Sequence, residues 1–310
     1  MHSVFNPVSP EARAVAHLFW AMVIVGGAVW LAVVVSMVVA VRRPRGNSSD
    51  EIGARDTSAR GIAVATGITV AILLSFLAYD YVEGRTNGGH HDADVTVDVT
   101  GHQWWWEIQY PAAIEKDRIV TANELHVPVG KLVQVRLLAA DVIHSFWVPN
   151  LNGKRDLIPG YKTTVWFRAD SAGVYDGQCA EFCGLQHAKM RLRVVAESPE
   201  KFAAWVAAAR QPNAPPADTL TQRGQMVFLS SSCVLCHSIA GTQAYATVGP
   251  NLSHLKSRSM IAAGTLENNE SNLMGWISNP SALKPGTQMP ASKLSGPDLQ
   301  ALVAYLETLK

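Results

Sequence analysis

The stretch GQCAEFCGLQHAKM, from Gly177 to Met190, lies between two short segments that alternate apolar and polar residues, KTTVWFRA before it and MRLRVVA after it. It combines two thiols, an imidazole, a carboxylate and a thioether, which are typical metal ligands. A mononuclear blue-copper site uses only one thiolate, so it leaves one cysteine unexplained. A zinc site could use Cys179, Cys183 and His187 with a distant fourth ligand, but it gives Met190 no role.

A two-copper centre would use every one of these groups, because both thiolates can bridge the metals while each copper takes one imidazole. That arrangement needs a second histidine. His144, in DVIHSFWVP, is the best-placed candidate at the end of a predicted strand. The alternative is that His144 is an ordinary core or surface histidine.

Outward from this stretch, the chain consists of short strand-like segments separated by Gly, Pro and Asn. Several such segments at near-even spacing predict a β-sandwich or Greek-key barrel of about 110 residues. The segments are DVTVDVTGHQWWWEIQY, NELHVPVG, KLVQVRLLA, HSFWVPN, KTTVWFRA and MRLRVVA. Because successive strand residues face opposite sides, the run Trp104 to Trp106 cannot all be core, and interfacial tryptophans near a membrane are an alternative.

Two uncharged runs near the N-terminus are long enough to cross a bilayer as helices, Leu18 to Val41 and Gly61 to Tyr79. The first run is too long for a cleaved signal peptide and lacks a basic segment before it. A polar hinge, EGRTNGGHHDAD, is expected after the second run. The two runs therefore predict a membrane-anchored protein.

The basic residues of the loop between the runs predict the orientation. The N-terminal tail has only Arg13, whereas the loop contains Arg42, Arg43, Arg45, Arg55 and Arg60. The positive-inside rule makes this loop cytoplasmic and places both termini on the other side of the membrane. Because the net charge is near zero, charge implies no nucleic-acid partner.

The last third of the chain reads as helical. ESPEKFAAWVAAAR opens with Ser198 ahead of Glu200, an approximate capping signal, and the Pro-rich linker QPNAPPAD follows it. In the terminal segment, one helical face carries apolar residues. They are Leu299, Leu302, Val303, Leu306 and Leu309.

The segment SSSCVLCHSIAG contains Cys233-x2-Cys236-His237, the attachment motif of a c-type haem. The two thiols would form thioethers to the haem, and His237 would bind the iron. A redox C-x-x-C motif is the alternative, but the following histidine and the absence of a βαβ pattern argue against it. Met289, in KPGTQMPAS, is the predicted second axial ligand. The other candidates are Met226, His254, Met260 and Met274.

GHQWWWEIQYP, DVIHSFWVPNLNGKRDLIPG and GQCAEFCGLQHAKM, in this order after two membrane spans, resemble subunit II of haem–copper cytochrome c oxidases. The resemblance covers about residues 14 to 210. It implies a binuclear CuA centre in which Cys179 and Cys183 bridge, His144 and His187 are terminal ligands and Met190 is axial. The backbone carbonyl of Glu181 would bind the other copper.

Three further roles rest on this resemblance. Trp104 would be the point where electrons enter, and the Glu181 side chain would reach a Mg or Mn ion at the interface with subunit I. Asp156 matches an interface carboxylate, with a turn residue as the alternative. We assign no proton-channel residue, because Asp56, the nearest acid at the start of the second span, lies too early in the chain.

GPNL at Gly249 and the PGTQMP loop resemble class I cytochrome c, so the whole chain looks like a fused, caa3-type subunit II. The predicted fold class is a multidomain membrane protein with a two-helix transmembrane hairpin, a cupredoxin-like β-sandwich or Greek-key barrel, and an all-α cytochrome c domain. The predicted domains are residues 1–82 (tail and spans), 83–200 (CuA domain), 201–218 (helix end and linker) and 219–310 (cytochrome c domain).

The resulting hypothesis is the redox subunit of a terminal respiratory oxidase with copper and covalent haem c as cofactors. Its expected partners are oxidase subunit I, other oxidase subunits, membrane lipid, and a cytochrome c or quinol-oxidising complex as donor. A bacterial cell membrane is the expected location, with both redox domains on the periplasmic side. The alternatives are the corresponding subunit of a CuA-containing nitric oxide reductase and a membrane-anchored copper carrier or assembly protein.

Overall fold

The structure is a computed structural model that describes residues 3–43, 51–88, 92–114 and 118–310. It forms two compact units. One consists of residues 14–91, and the other consists of residues 92–310 together with the N-terminal segment that ends at Arg13. Each unit is described by itself.

Among the described residues, the first unit contains two helices, α1 (Pro10–Arg42), whose first turn belongs to the second unit, and α2 (Glu51–Gly88). Both contain a stretch that is long and apolar enough to cross a membrane, and the apolar side chains there are exposed. This confirms the two predicted apolar helices.

Helix α2 is longer than the predicted span. The polar hinge was predicted to begin at Glu83. This prediction was wrong for residues 83–88, because helix α2 continues to Gly88. Glu83 and Arg85 are good helix formers and no proline interrupts the segment. Part of the expected loop, from Glu51 onward, is helical as well. Some predicted features lie outside the described residues. They are residues 44–50, which include Arg45, the side chains of Arg55 and Asp56, and residues 89–91 of the hinge.

The second unit begins with ten strands. They are β1 (Val95–His102), β2 (Trp105–Tyr110), β3 (Ile119–Ala122), β4 (Glu124–Pro128), β5 (Val133–Ala139), β6 (His144–Trp147), β7 (Arg155–Leu157), β8 (Thr163–Phe167), β9 (Gly173–Cys179) and β10 (Arg191–Glu197). They form two five-stranded sheets with the orders β3-β2-β1-β5-β8 and β4-β10-β9-β6-β7. The predicted β-sandwich is confirmed.

Alternating burial explains how the strands form the sandwich. In β1 the inward-facing Val97 and Val99 are fully buried, and β5 repeats the pattern with Val133, Val135 and Leu137. These residues belong to one continuous core between the sheets. Helix α3 (Pro199–Ala209) begins at the predicted cap, where the side chain of Ser198 accepts a hydrogen bond from the backbone N–H of Lys201.

The rest of the second unit is the helical domain. Its helices are α4 (Thr219–Ser230), α5 (Glu270–Ser278), α6 (Pro280–Leu283) and α7 (Gly296–Leu306), with a short hairpin of β11 (Met260–Ile261) and β12 (Leu266–Glu267). The predicted apolar face of α7 is confirmed, since Leu302, Val303 and Leu306 are buried in a separate core.

Helices α4 and α7 approach each other closely at Gly224. A Cβ atom placed on Gly224 would lie 2.0 Å from the carbonyl oxygen of Ala301 and 2.6 Å from Cβ of Tyr305. Only glycine therefore permits this crossing.

We expect Gly224→Ala to destabilise the helical domain by about 3 kcal/mol or more, because the added methyl group overpacks a backbone contact. Gly275→Ala is the matched control, since a Cβ there meets only Leu283 Cδ1 at 3.6 Å. That change should be neutral or stabilise the domain by up to about 1 kcal/mol. Denaturant unfolding of the purified chain, followed by circular dichroism, measures both changes. Equal stability of the two variants would contradict the close crossing.

The tryptophan run is more buried than the alternation rule suggested. Trp106 is fully buried in the core between the sheets. Trp105 faces the other side of β2 and is only 8% exposed, because Ala263 of the helical domain covers it together with Ala122. The outer face of this sheet is therefore an interface within the chain.

Candidate metal and haem sites

Strand pairing brings the predicted copper ligands together. His144 is the first residue of β6, and Cys179 is the last residue of β9. These strands pair antiparallel, with Phe146 opposite Cys179. Cys183 and His187 lie on the connection to β10, and Met190 immediately precedes that strand. Residues separated widely in sequence thus meet at one end of the sandwich.

The distances place all predicted groups around the two thiols. The Sγ atoms of Cys179 and Cys183 are 3.8 Å apart. Each thiol has one imidazole nitrogen beside it, His144 Nδ1 at 3.9 Å from Cys179 and His187 Nδ1 at 3.7 Å from Cys183. Met190 Sδ lies 3.8 Å from Cys183 Sγ, so each thiol has one imidazole and the pair has a thioether at one side.

The backbone carbonyl of Glu181 completes the set, 3.2 Å from Cys179 Sγ. Both cysteines, His144 and Met190 are buried. Soft sulfur donors with imidazoles suit copper, and the thioether has no use in a zinc site. The donor set therefore fits a buried, closed copper centre.

The thiols are electrostatically unequal. The pKa of Cys179 is lowered to about 3 by its hydrogen bond with the Cys183 thiol, which outweighs burial, with His144 contributing further. The pKa of Cys183 is raised by the same hydrogen bond and by burial. The two thiols therefore differ in acidity, with Cys179 the more acidic of the pair.

Two residues that the sequence did not single out hold the ligands in place. His144 Nε2 lies 2.8 Å from Oδ1 of Asp141, which fixes the ring with Nδ1 facing the thiols. The backbone N–H of Gln103 donates to Asp141 Oδ2 at 2.6 Å, and the Gln103 side chain donates to the carbonyl of Cys183 at 2.8 Å. The only signal for Asp141 was its position three residues before His144.

We expect Asp141→Ala to weaken copper binding by about 10- to 100-fold, because a carboxylate that orients a ligating histidine contributes that much to metal affinity. Competition with a copper chelator measures the change. Asp170→Ala is the control, because it removes only a partner of Arg13 at the surface. Unchanged affinity in Asp141→Ala would contradict the orienting role.

Trp104 is attached to the same loop. Its indole Nε1–H donates to the carbonyl of Cys183 at 2.9 Å, and its ring is partly buried against the sandwich core. Gly184 has a φ of +112°, and a Cβ there would lie 3.0 Å from Trp104 Cζ2. Glycine at this position allows the indole to lie directly against the copper loop (residues 179–190).

The side chains of Glu181 and Asp156 share one lysine. Lys154 Nζ lies 3.2 Å from a Glu181 carboxylate oxygen and 3.6 Å from an Asp156 oxygen. All three are partly exposed, and this contact raises the pKa of Lys154. The carboxylates of Glu181 and Asp156 therefore lie close together, and the ammonium group of Lys154 compensates part of their charge.

The C-x-x-C-H segment follows helix α4. Cys233 and Cys236 are free thiols. His237 Nδ1 lies 2.8 Å from the carbonyl oxygen of Pro250, so Nε2 is left for a metal. Burial of the ring lowers the pKa of His237 and favours the neutral imidazole that an iron ligand needs. A Cβ on Gly249 would lie 2.7 Å from the ring, so the segment is shaped around His237.

The predicted and alternative axial ligands occupy different environments. Met289 and Met274 both pack at the edge of the helical-domain core, Met289 from a loop and Met274 from α5. Met226 is 63% exposed, and His254 Nδ1 lies 2.7 Å from the terminal carbonyl of Lys310. Met260 lies in the β11–β12 hairpin.

Comparison with known proteins gives two family matches. The model "Cytochrome C oxidase subunit II, periplasmic domain" matches residues 112–198, and the model "Cytochrome c" matches residues 221–310. The cytochrome c oxidase subunit 2 of Alkalihalophilus pseudofirmus is 35% identical over an alignment of 317 positions, which covers 99% of this chain and 91% of that protein.

Two further relatives cover less of the chain. The cytochrome c oxidase subunit 2 of Cereibacter sphaeroides is 31% identical, over 66% of this chain and 80% of that protein. The crystal structure of the periplasmic domain of cytochrome oxidase subunit II from Bradyrhizobium japonicum shares 35% sequence identity, with a TM-score of 0.36, over 39% of this chain and 96% of that one.

Proposed function

Because the chain belongs to the cytochrome c oxidase subunit II family, we propose that it is the subunit through which electrons enter a terminal respiratory oxidase. Electrons from a cytochrome c or quinol-oxidising complex pass by way of haem c and a binuclear CuA centre to subunit I, where oxygen is reduced to water with proton pumping. The convergence of two thiols, two imidazoles and a thioether in one buried cluster supports this proposal.

In this proposal Cys179 and Cys183 would hold a pair of copper ions through their thiolates, with His144, His187, Met190 and the backbone carbonyl of Glu181 as the further ligands. Copper supplies reversible one-electron chemistry when bound. The protein holds the ligands on paired strands and fixes His144 through Asp141. With both cysteines, His144 and Met190 buried, the centre would leave no open position for a substrate, in contrast to a catalytic metal site.

Cys233 and Cys236 would hold the haem covalently, and His237 and Met289 would bind its iron. The Pro250 carbonyl orients His237, as the hydrogen bond at its Nδ1 supports. Sulfur ligation by methionine favours a high potential, which suits a haem that receives electrons from a respiratory donor.

Trp104 is the proposed residue for electron entry from an external donor, because its indole contacts the backbone of Cys183. Glu181 is proposed to share a Mg or Mn ion with subunit I. That binding requires Lys154 to move away from the carboxylate. Asp156, beside the same lysine, is available as a second carboxylate.

The proposed location is a bacterial cell membrane, with both termini and both redox domains on the periplasmic side. The excess of arginine between the two spans supports this orientation. The partners are subunit I, further oxidase subunits and lipid around α1 and α2.

Turnover by the purified complex tests the proposal. With a reduced c-type donor, we expect oxygen consumption and proton release, and both should be lost in a complex whose subunit II lacks His187. Turnover of NO in place of oxygen would assign the chain to a nitric oxide reductase. A complex without turnover, with copper that exchanges freely, would point to a copper carrier.

A further inference from the structure

The helical domain is fixed to the β-sandwich by several sets of contacts. In the first set, the backbone N–H and the hydroxyl of Ser259 both donate to Glu124 Oε2, at 3.0 and 2.8 Å. The Arg258 guanidinium donates through Nε to the hydroxyl of Thr121 at 3.2 Å. Glu124 and Arg258 are buried, so these contacts are shielded from water.

In the second set, the segment after β11 lies against the start of β10. The carbonyl of Ala263 accepts a hydrogen bond from the backbone N–H of Arg191 at 3.1 Å. Ala262 and Ala263 both have positive φ, 53° and 54°, which alanine rarely adopts. Such a backbone persists only where the surroundings fix it, and here Trp105 covers Ala263.

The third set involves the loop that leads to Met289. Residues 284–287 form a tight turn, in which the backbone N–H of Thr287 donates to the carbonyl of Lys284 at 3.1 Å. Pro285 occupies the second position and Gly286, with a φ of +89°, the third, as a type II turn requires. Lys284 is buried and donates through Nζ to the carbonyl of Ala262 at 3.0 Å. The turn is thus tied to the second contact set.

Gln186 connects this turn to the copper loop. Its side chain is 3% exposed, and its Nε2 donates to the carbonyl of Pro285. A Cβ on Gly286 would lie 3.3 Å from Cβ of the neighbouring Leu185, so the two loops are in direct contact. Among the described residues, Gln186 Oε1 has no hydrogen-bond partner. The amide is therefore held through its donor alone.

On the other side of the helical domain the two domains are not closed against each other. A cleft of about 540 Å³ separates Glu107 and Arg118 of the sandwich from Ser238, which follows His237 in the chain, and Gly249, which packs against the His237 ring. Direct contact with the copper loop thus comes from the Met289 side.

We infer that Gln186 is a positioning residue for electron transfer within this chain, because its amide ties the loop of the proposed haem ligand Met289 to the loop of the proposed copper ligands Cys183 and His187. The inference rests on the proposed function. In the transfer, ferrous haem iron loses one electron and becomes ferric, and the oxidised copper pair gains that electron; no proton or bond is exchanged. Gln186 contacts neither metal and acts through the turn at residues 284–287.

The test uses the full-length chain loaded with both cofactors, and three variants. Gln186→Met keeps the length of the side chain and removes the donor. Gly286→Ala disturbs the same contact from the helical domain, since a side chain at positive φ is strained, and it substitutes no residue of the copper loop. Ser259→Ala is the control, because it removes two hydrogen bonds of the same interface at the first contact set, the one that the Ser259 hydroxyl donates to Glu124 and the one that it accepts from Arg193.

Two measurements apply to each variant. Flash photoreduction of the haem measures the rate of electron transfer to copper, and amide hydrogen exchange at Thr287, also in protein without cofactors, measures opening of the turn. Losing one buried hydrogen bond should lower the protection of Thr287 and the transfer rate by about tenfold each. We expect both decreases in Gln186→Met and Gly286→Ala, and neither of them in Ser259→Ala. The copper and haem spectra of Gln186→Met and Gly286→Ala should match those of the unmodified chain.

Unchanged rate and protection in Gln186→Met and Gly286→Ala would overturn the inference. An equal decrease of the electron-transfer rate in Ser259→Ala would also overturn it, since any contact between the two domains would then have the same effect as that of Gln186. If the unmodified chain bound no copper pair or no haem, the proposed function would fail instead, and the spectra report this separately from the rates.

Discussion

Exchanging Cys179 for serine is expected to abolish the two-copper spectrum of the chain and to lower copper affinity by more than about 100-fold, beyond the loss typical of a residue that only supports a ligand. The reason is geometric and chemical. The Cys179 sulfur contacts His144, the Cys183 thiol and the carbonyl of Glu181, three of the groups of the cluster. A hydroxyl is a hard, weakly acidic ligand that does not bridge soft metal ions as a thiolate does.

Copper content and electron paramagnetic resonance of the purified chain measure this loss. Ser145→Ala is the matched control, because Ser145 is buried next to His144 without contributing a sulfur or an imidazole. We expect the control to retain both copper ions. A Cys179→Ser variant that kept the spectrum of two coupled coppers would show that this thiol does not bridge.

The second large effect is expected at the haem. Exchanging Met289 for histidine should leave a low-spin haem and lower its reduction potential by on the order of 0.1 V or more, since a second imidazole replaces a thioether as axial ligand. Met289→Ala should instead open the axial position and give a high-spin iron. Both changes appear in the visible spectrum and in a potentiometric titration.

Met274→Leu is the control, because Met274 also packs at the core edge but projects from helix α5. We expect it to keep the spectrum and potential of the unmodified chain. The assignment would be wrong if Met274→Leu lost the low-spin spectrum while Met289→Ala kept it.

The sequence predicted the parts of this protein that local patterns encode. The spacing of Cys179, Cys183, His187 and Met190 indicated a metal centre because each residue type has a distinct chemistry, and the alternation in β1 and β5 indicated a sandwich. Three strands of the sandwich were missed, β3, β7 and β9, and so was the short β11–β12 hairpin of the helical domain. β7 has three residues, and β9, GVYDGQC, mixes glycine and polar residues with only two buried positions, so neither has a clear apolar alternation.

Long-range contacts could not be predicted in the same way. Asp141 is one acid among many in the sequence, and only the pairing of β6 with β9 shows that the ring it holds faces two thiols. Alternation indicated that Trp104 to Trp106 cannot all be core, but it describes a single strand, whereas Ala263, which covers Trp105, belongs to another domain. Gln186 likewise gained a role only when the turn at Pro285 was placed against it.

We propose that the buried cluster between β6, β9 and β10 holds a copper pair that accepts electrons. The most direct measurement is electron paramagnetic resonance, with metal and haem quantification, on the purified full-length chain. We predict two copper ions that share one unpaired electron, together with one covalently bound low-spin haem c. One zinc ion, or a single mononuclear copper, in the cluster would contradict the account.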